Sequence, residues 1–273
     1  MDRRNVLKLL GLASVSFSLP AKAFEEIQFE PRYVLREEWG ALSPKEDKLR
    51  ILYTDLENFD VSMIDEFGVE GCFDRNVLSW FAIHHSGLNL KKTSVNLIQK
   101  NHMREKSDIA YNWVIDRKGR IYEGRLWFVM AAAMCPSEES LKQVEDFGEL
   151  VNPEMSPNYG VLNVCLFGDF TKQRPTPEQR SSLYWLSRMV AREFPNVFRE
   201  RIIGHRDGYL IGEERGVEVT DSCETRCPGE IEDVIAMAQA HFGLERQVYK
   251  EPGNKRKYEI YTDFRERSIS VYG

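Results

Sequence analysis

Two stretches of the chain, SWFAIHH (79–85) and GVLNVCLFGDF (160–170), carry apolar residues at consecutive rather than alternate positions. A strand with one face in water alternates, whereas a short unbroken apolar run between breakers reads as a strand buried inside a sheet. The first run therefore predicts a buried strand and the second a central one. Helical signals are interleaved with them. Thr93 can cap a helix running through Val95, Leu97 and Ile98 towards Met103. TPEQ (176–179) offers Thr176 as cap, Pro177 at the first helical position and Gln179 to close a capping box. Leu183, Leu186, Met189, Val190 and Phe194 then recur at helical spacing. AYNWVIDRKGRIYEGR (110–125) reads as a hairpin that turns at Asp116–Gly119, IIGH (202–205) as a brief strand, and PGEIEDVIAMAQAHF (228–242) as a last helix. Residues 24–78 are mixed and irregular, 131–160 read as loop, and 244–273 alternate in a way that suits an edge hairpin. Trp80, Trp113 and Trp185 read as core. Strand, helix, hairpin, strand, helix, strand, helix predicts a single α/β domain with a central mixed β-sheet flanked by helices.

The first 23 residues, MDRRNVLKLLGLASVSFSLPAKA, have a charged start, an apolar run and a small-x-small ending at Ala21–Ala23. That is the pattern of a cleaved export signal, and RRNVLK resembles the twin-arginine motif. The run is interrupted by Lys8 and too short to span a bilayer, so no stable membrane anchor is expected after cleavage. The expected location is periplasmic or secreted. The formal net charge is −6, and cleavage after Ala23 would take it to −9 by removing four basic residues and one acidic. An acidic chain is a poor nucleic-acid binder, because that affinity rests on a basic surface. Five cysteines, Cys72, Cys135, Cys165, Cys223 and Cys227, leave one outside any set of disulfides.

Of the histidines, His84 and His205 stand at the C-terminal ends of predicted strands, and Cys227 sits in TRCPG just before the last helix. Two imidazoles and one thiolate are the donor set of a catalytic zinc site with one open position. Strand histidines are also common core residues, and an isolated cysteine is commonly a small buried hydrophobe. Spacing alone leaves both readings open.

Read together, REEWGA (36–41), FAIHHSG (81–87), LIQKNHMREKSDIAYNWVIDRKGRIYEGR (97–125), GVLNVCLFGDF, TPEQ, IIGHRD (202–207) and TRCPG (225–229) resemble one family in its own motif order. They are similar to the peptidoglycan-recognition-protein and phage-lysozyme-type branch of zinc N-acetylmuramoyl-L-alanine amidases, over about residues 33–243. The resemblance implies a zinc site in a surface groove and Zn2+ as the cofactor. It implies peptidoglycan or muropeptide fragments as partners, and hydrolysis of the amide between N-acetylmuramic acid and L-alanine. His84, His205 and Cys227 match the metal ligands, Tyr111 the active-site tyrosine, and Thr225 the position beside the developing oxyanion. His85 has no ligand role there and is expected on the opposite face of its strand. His102 matches a helix histidine and reads as structural or supporting. Cys165 stands where some branches place a glutamate base, which favours the version of the chemistry that uses tyrosine. Family members that only bind peptidoglycan lack a zinc residue, so the full set here implies an enzyme; a non-catalytic binding module is the alternative.

The implied domain covers 24–243, with insertions near 42–78, 136–159 and 208–224 and an extension at 244–273. AAAMC (131–135) falls where relatives often carry a groove histidine. Cys223, four residues before Cys227, is a rival ligand or half of a disulfide. Oligomeric state is not indicated.

Overall fold

Six strands form one sheet: β1 (Tyr33–Val34), β2 (Trp80–His85), β3 (Trp113–Ile115), β4 (Ile121–Glu123), β5 (Val161–Leu166) and β6 (Ile202–Gly204). Their spatial order is β1-β4-β3-β5-β2-β6. Only β3 and β4, the predicted hairpin, run antiparallel; every other pair is parallel. The computed structural model describes residues 30–45, 53, 73–88, 93–147, 152–220 and 225–250. The segment 1–23 read as an export signal, most of the stretch 42–78, Cys223 and the tail beyond 250 lie outside these. All the described elements belong to one compact unit that starts at Pro31. Among the described residues no helix is long and apolar enough to cross a membrane.

The consecutive apolar runs are explained by cover on both faces. Phe81, Ile83, Leu162, Val164, Leu166 and Ile202 point to one face, where α3 (Pro177–Glu193) and α5 (Glu232–Lys250) pack on them. Leu183, Leu186 and Val190 of α3 are completely buried there, each stabilising the fold by roughly 1.5–3 kcal/mol. The capping box at the start of α3 forms as predicted, with Thr176 and Gln179 bonding to each other's backbone. Trp80, Trp113 and Trp185 are buried.

The other face has divided cover. Near β3 and β4, Val95 and Ile98 of α1 (Val95–His102) pack on Val114 and Cys165. Near β6, Met134 and Ile211 of α4 (Tyr209–Arg215) pack on Trp80, Ala82 and Ile203. Between the two apolar clusters lies the end of β2, and there the polar residues gather.

Several expectations need correction. Ser94, not Thr93, caps α1, accepting the Leu97 N–H. The stretch read as loop at 131–160 contains α2 (Glu138–Phe147). Its start is secured by Ser137, whose hydroxyl accepts the Ser140 N–H, but Leu141 and Val144 are exposed, so no buried stripe announced the helix. The connection at 208–224 holds α4, closed by Gly216 in the left-handed conformation at φ 66°. Within α4, Arg215 donates to the carbonyls of Ser156 and Tyr159. The last helix runs to Lys250, past the predicted end near 242.

Candidate metal centre

Strand periodicity separates the two adjacent histidines. His84 faces the divided side of the sheet. His85 faces the helices, where its Nδ1 accepts the Phe170 N–H at 3.0 Å. His205 directly follows β6, in a short turn whose Asp207 carboxylate accepts the Gly204 N–H at 3.0 Å. Because β2 and β6 are parallel, both imidazoles sit at the carboxyl ends of neighbouring strands, where open α/β sheets bind ligands. Cys227 arrives from the far end of the chain on a tightly bonded turn. Thr225 Oγ1 accepts the Cys227 N–H at 3.1 Å, and the Cys227 carbonyl accepts the Arg206 N–H at 2.8 Å. The Cys227 sulfur accepts the His85 N–H at 3.2 Å. Gly229 completes the turn at φ 88°; a Cβ there would stand 2.3 Å from the Phe170 carbonyl carbon. The glycine of TRCPG is thus a demand of backbone crowding.

One donor atom each from His84, His205 and Cys227 lie within 4.8 Å of one another. Cys227 Sγ is 3.9 Å from His84 Nδ1, and the two imidazole rings are 4.6 Å apart. Tetrahedral zinc with bonds of about 2.0 Å to nitrogen and 2.3 Å to sulfur needs donors roughly 3.3–3.5 Å apart, so the donors would draw closer on binding. His84 Nε2 lies 2.8 Å from Asn163 Oδ1, while Asn163 Nδ2 donates to the Val161 carbonyl at 2.9 Å. The amide oxygen therefore faces the imidazole, Nε2 carries the hydrogen, and the Nδ1 lone pair is turned to the cluster. A hydrogen-bonded partner of this kind fixes the tautomer of a metal-ligating histidine. Cys165 and Cys227 are free thiols, whereas Cys135 is disulfide-bonded, with its sulfur 3.6 Å from His205 Nε2. The donor set fits a zinc ion.

The electrostatics agree. Burial holds His84 well below the ordinary histidine range, with His205 adding to the effect. Burial also lowers His205 to about 4, helped by His85 and Lys106. Both imidazoles are neutral at pH 7 and can donate lone pairs. Burial pushes the Cys227 thiol up to about 12, so its proton leaves readily only in exchange for a cation.

Tyr111 stands beside the cluster, its ring 5.2 Å from that of His84 and 5.3 Å from that of His102. Burial, then the Cys165 and Cys227 sulfurs, raise its phenol well above 10, and it shares a hydrogen bond with Cys165. Burial also raises the Cys165 thiol, which is completely enclosed. His102 Nδ1 accepts the Ala110 N–H at 3.0 Å, and burial lowers its pKa to about 4, so it is a neutral imidazole that braces the tyrosine.

Two residues of the site were not picked out by the sequence reading. Asn163 orients His84. Asn112 joins the Tyr111 loop to β5, accepting the Asn163 N–H at 2.7 Å and donating to the Arg125 and Leu126 carbonyls. The signal was an asparagine inside an apolar strand, GVLNVC, which has to be satisfied where it is buried. REEWGA has a structural role: Arg36 pairs with Asp108 at 3.0 Å and donates to the Gly124 carbonyl, and Trp39 Nε1 donates to the Glu123 carbonyl.

Fold and cluster together define an α/β protein in which two neutral imidazoles and a thiol converge at the carboxyl edge of parallel strands. The chain belongs to the N-acetylmuramoyl-L-alanine amidase family (Amidase_2), which it matches over residues 74–230. Among solved structures it is similar to the N-acetylmuramoyl-L-alanine amidase LysC from Clostridium intestinale URNW, at 23% identity over 60% of this chain and 87% of that one, with a TM-score of 0.41. It is similar to the Drosophila peptidoglycan recognition protein SD at 19% identity, over 84% of this chain and 99% of that one, with a TM-score of 0.46. Peptidoglycan recognition protein-LE, in complex with tracheal cytotoxin, is 19% identical over 72% of this chain and 87% of that one, with a TM-score of 0.45. No curated protein matched.

Proposed function

We propose that this protein is a zinc-dependent hydrolase that cuts the amide between N-acetylmuramic acid and the L-alanine of the peptidoglycan stem peptide. The observation that carries the reading is the meeting of His84, His205 and Cys227, from three distant segments, beside Tyr111. Family membership supports peptidoglycan as the substrate class. A zinc ion held by these residues would supply Lewis acidity to the scissile carbonyl and lower the pKa of water.

The chain's own residues do the rest. Asn163 keeps His84 in the ligating tautomer. The Tyr111 phenol stays protonated at neutral pH and can donate to the oxygen that gains charge as the carbonyl is attacked. His102 braces that ring. Thr225 holds the Cys227 turn through its hydroxyl, which makes it first a positioning residue. Cys165 is enclosed and protonated, so no base is available at that position. The segment 1–23 supports export, and with it a periplasmic or secreted site of action.

The test is incubation of the zinc-loaded protein with purified peptidoglycan, with and without a chelator, and mass spectrometry of the products. Stem peptides with a free L-alanine amine are expected, absent on chelation and absent for Cys227→Ala. Binding to the wall by folded, metal-loaded protein without peptide release would instead identify a recognition module.

A further inference from the structure

Beside the metal cluster lies a cavity of about 500 Å³ that His205 itself lines. Met134 and Tyr209 also line it. Among the described lining residues two are arginines, Arg206 and Arg226, and none is acidic. That is a local reversal of sign in a chain of net charge −6.

The two arginines are not equivalent. Arg206 is committed: it bonds to the Gly229 carbonyl and to the Glu232 carboxylate at 2.8 Å, and so pins the start of α5. Arg226 is exposed, and among the described residues no hydrogen bond or ion pair occupies its side chain. Its backbone is nevertheless fixed, because it lies between Thr225 and Cys227, which are joined by a hydrogen bond. A cation on a rigid turn with an unused guanidinium is suited to a planar anion.

Resting on the amidase reading, we infer that this cavity is a peptide subsite and that Arg226 selects stem peptides whose second residue carries a free α-carboxylate over those in which it is amidated. Reach is consistent with this. Two residues of extended peptide cover about 7 Å, which sets that carboxylate within an arginine's length of a backbone adjacent to the ligand Cys227. The exposed ring of Tyr209 offers apolar surface to the rest of the residue.

The experiment compares N-acetylmuramoyl tripeptides in which the second residue is γ-linked D-glutamate, α-carboxyl free, with the same peptides carrying the α-amide there. A further pair differs only at the third residue's carboxylate. The zinc-loaded wild type is expected to show a KM about tenfold lower for the free acid at the second residue, a typical return for one charge-assisted contact. Arg226→Gln should bring the ratio close to one and Arg226→Lys should retain part of it, with zinc content verified in each. Equal KM values in the wild type, an unchanged ratio in Arg226→Gln, or discrimination that follows the third residue would overturn the inference. If the wild type releases no peptide at all, the amidase reading fails, and calorimetric titration of the same peptides decides the subsite. A roughly tenfold Kd ratio removed by Arg226→Gln upholds it, and equal Kd values reject it.

Discussion

A single hydrogen bond donated by His84 Nε2 to Asn163 Oδ1 decides which nitrogen of His84 is open to a metal. Asn163→Ala is expected to lower zinc affinity by about 10- to 100-fold, as measured by competition with a chromophoric chelator. Tyr111→Phe is expected to keep the metal but to reduce kcat on muropeptides by about 10²- to 10³-fold, the usual loss for one oxyanion donor. At this scale the three clustered side chains were legible because three short motifs each carried one. The supporting shell was less so. His102 is recognisable as a helix histidine, but nothing in its sequence neighbourhood states that Ala110 will fix its tautomer. Asn163 was visible only as a polar residue in an apolar strand, and its partner, His84, is 79 residues away.

Elements meet where α3 and α5 cross, with Tyr184 of one stacked on His241 of the other at 4.7 Å between ring centroids. Burial, with Arg188 nearby, lowers His241 to about 4, below the value of 6.5 expected for the unfolded chain. The folded state therefore requires the neutral ring. This contact contributes fully above pH 6.5 and loses stability as the pH falls from there to about 4, because the unfolded chain takes up the proton first. His241→Phe keeps the stack and is expected to shrink the drop in Tm between about pH 7 and about pH 4.5, followed by circular dichroism. Elements with a strong local signature were readable: the capping box of α3, the hairpin, the unbroken strands. α2 and α4 were missed for physical reasons. α2 leaves Leu141 and Val144 exposed, so it shows no buried face. α4 has seven residues, too short for periodicity to emerge, and is held by tertiary contacts such as Ile211 on the sheet.

For the molecule as a whole, a ligand that binds only the folded state adds to its stability by mass action. Zinc at 100 times its Kd is expected to stabilise the protein by about 2.7 kcal/mol, so chelation should lower Tm, whereas Cys227→Ala should show no chelator shift in the same thermal scan. The overall α/β layering followed from the sequence because buried strands require cover on both faces. The division of that cover into two clusters, which leaves the site open between them, depends on where α1 and α4 fold back onto the sheet, and no local pattern states it. One consequence concerns biosynthesis. His84 and Cys227 are 143 residues apart, and His205 waits on β6, which joins the sheet late in the chain. A ribosome that has delivered the first half of the polypeptide has delivered one donor out of three. Chains that stop before residue 227 lack Cys227, so a cluster with all three donors marks a polypeptide made at least as far as the turn that precedes α5.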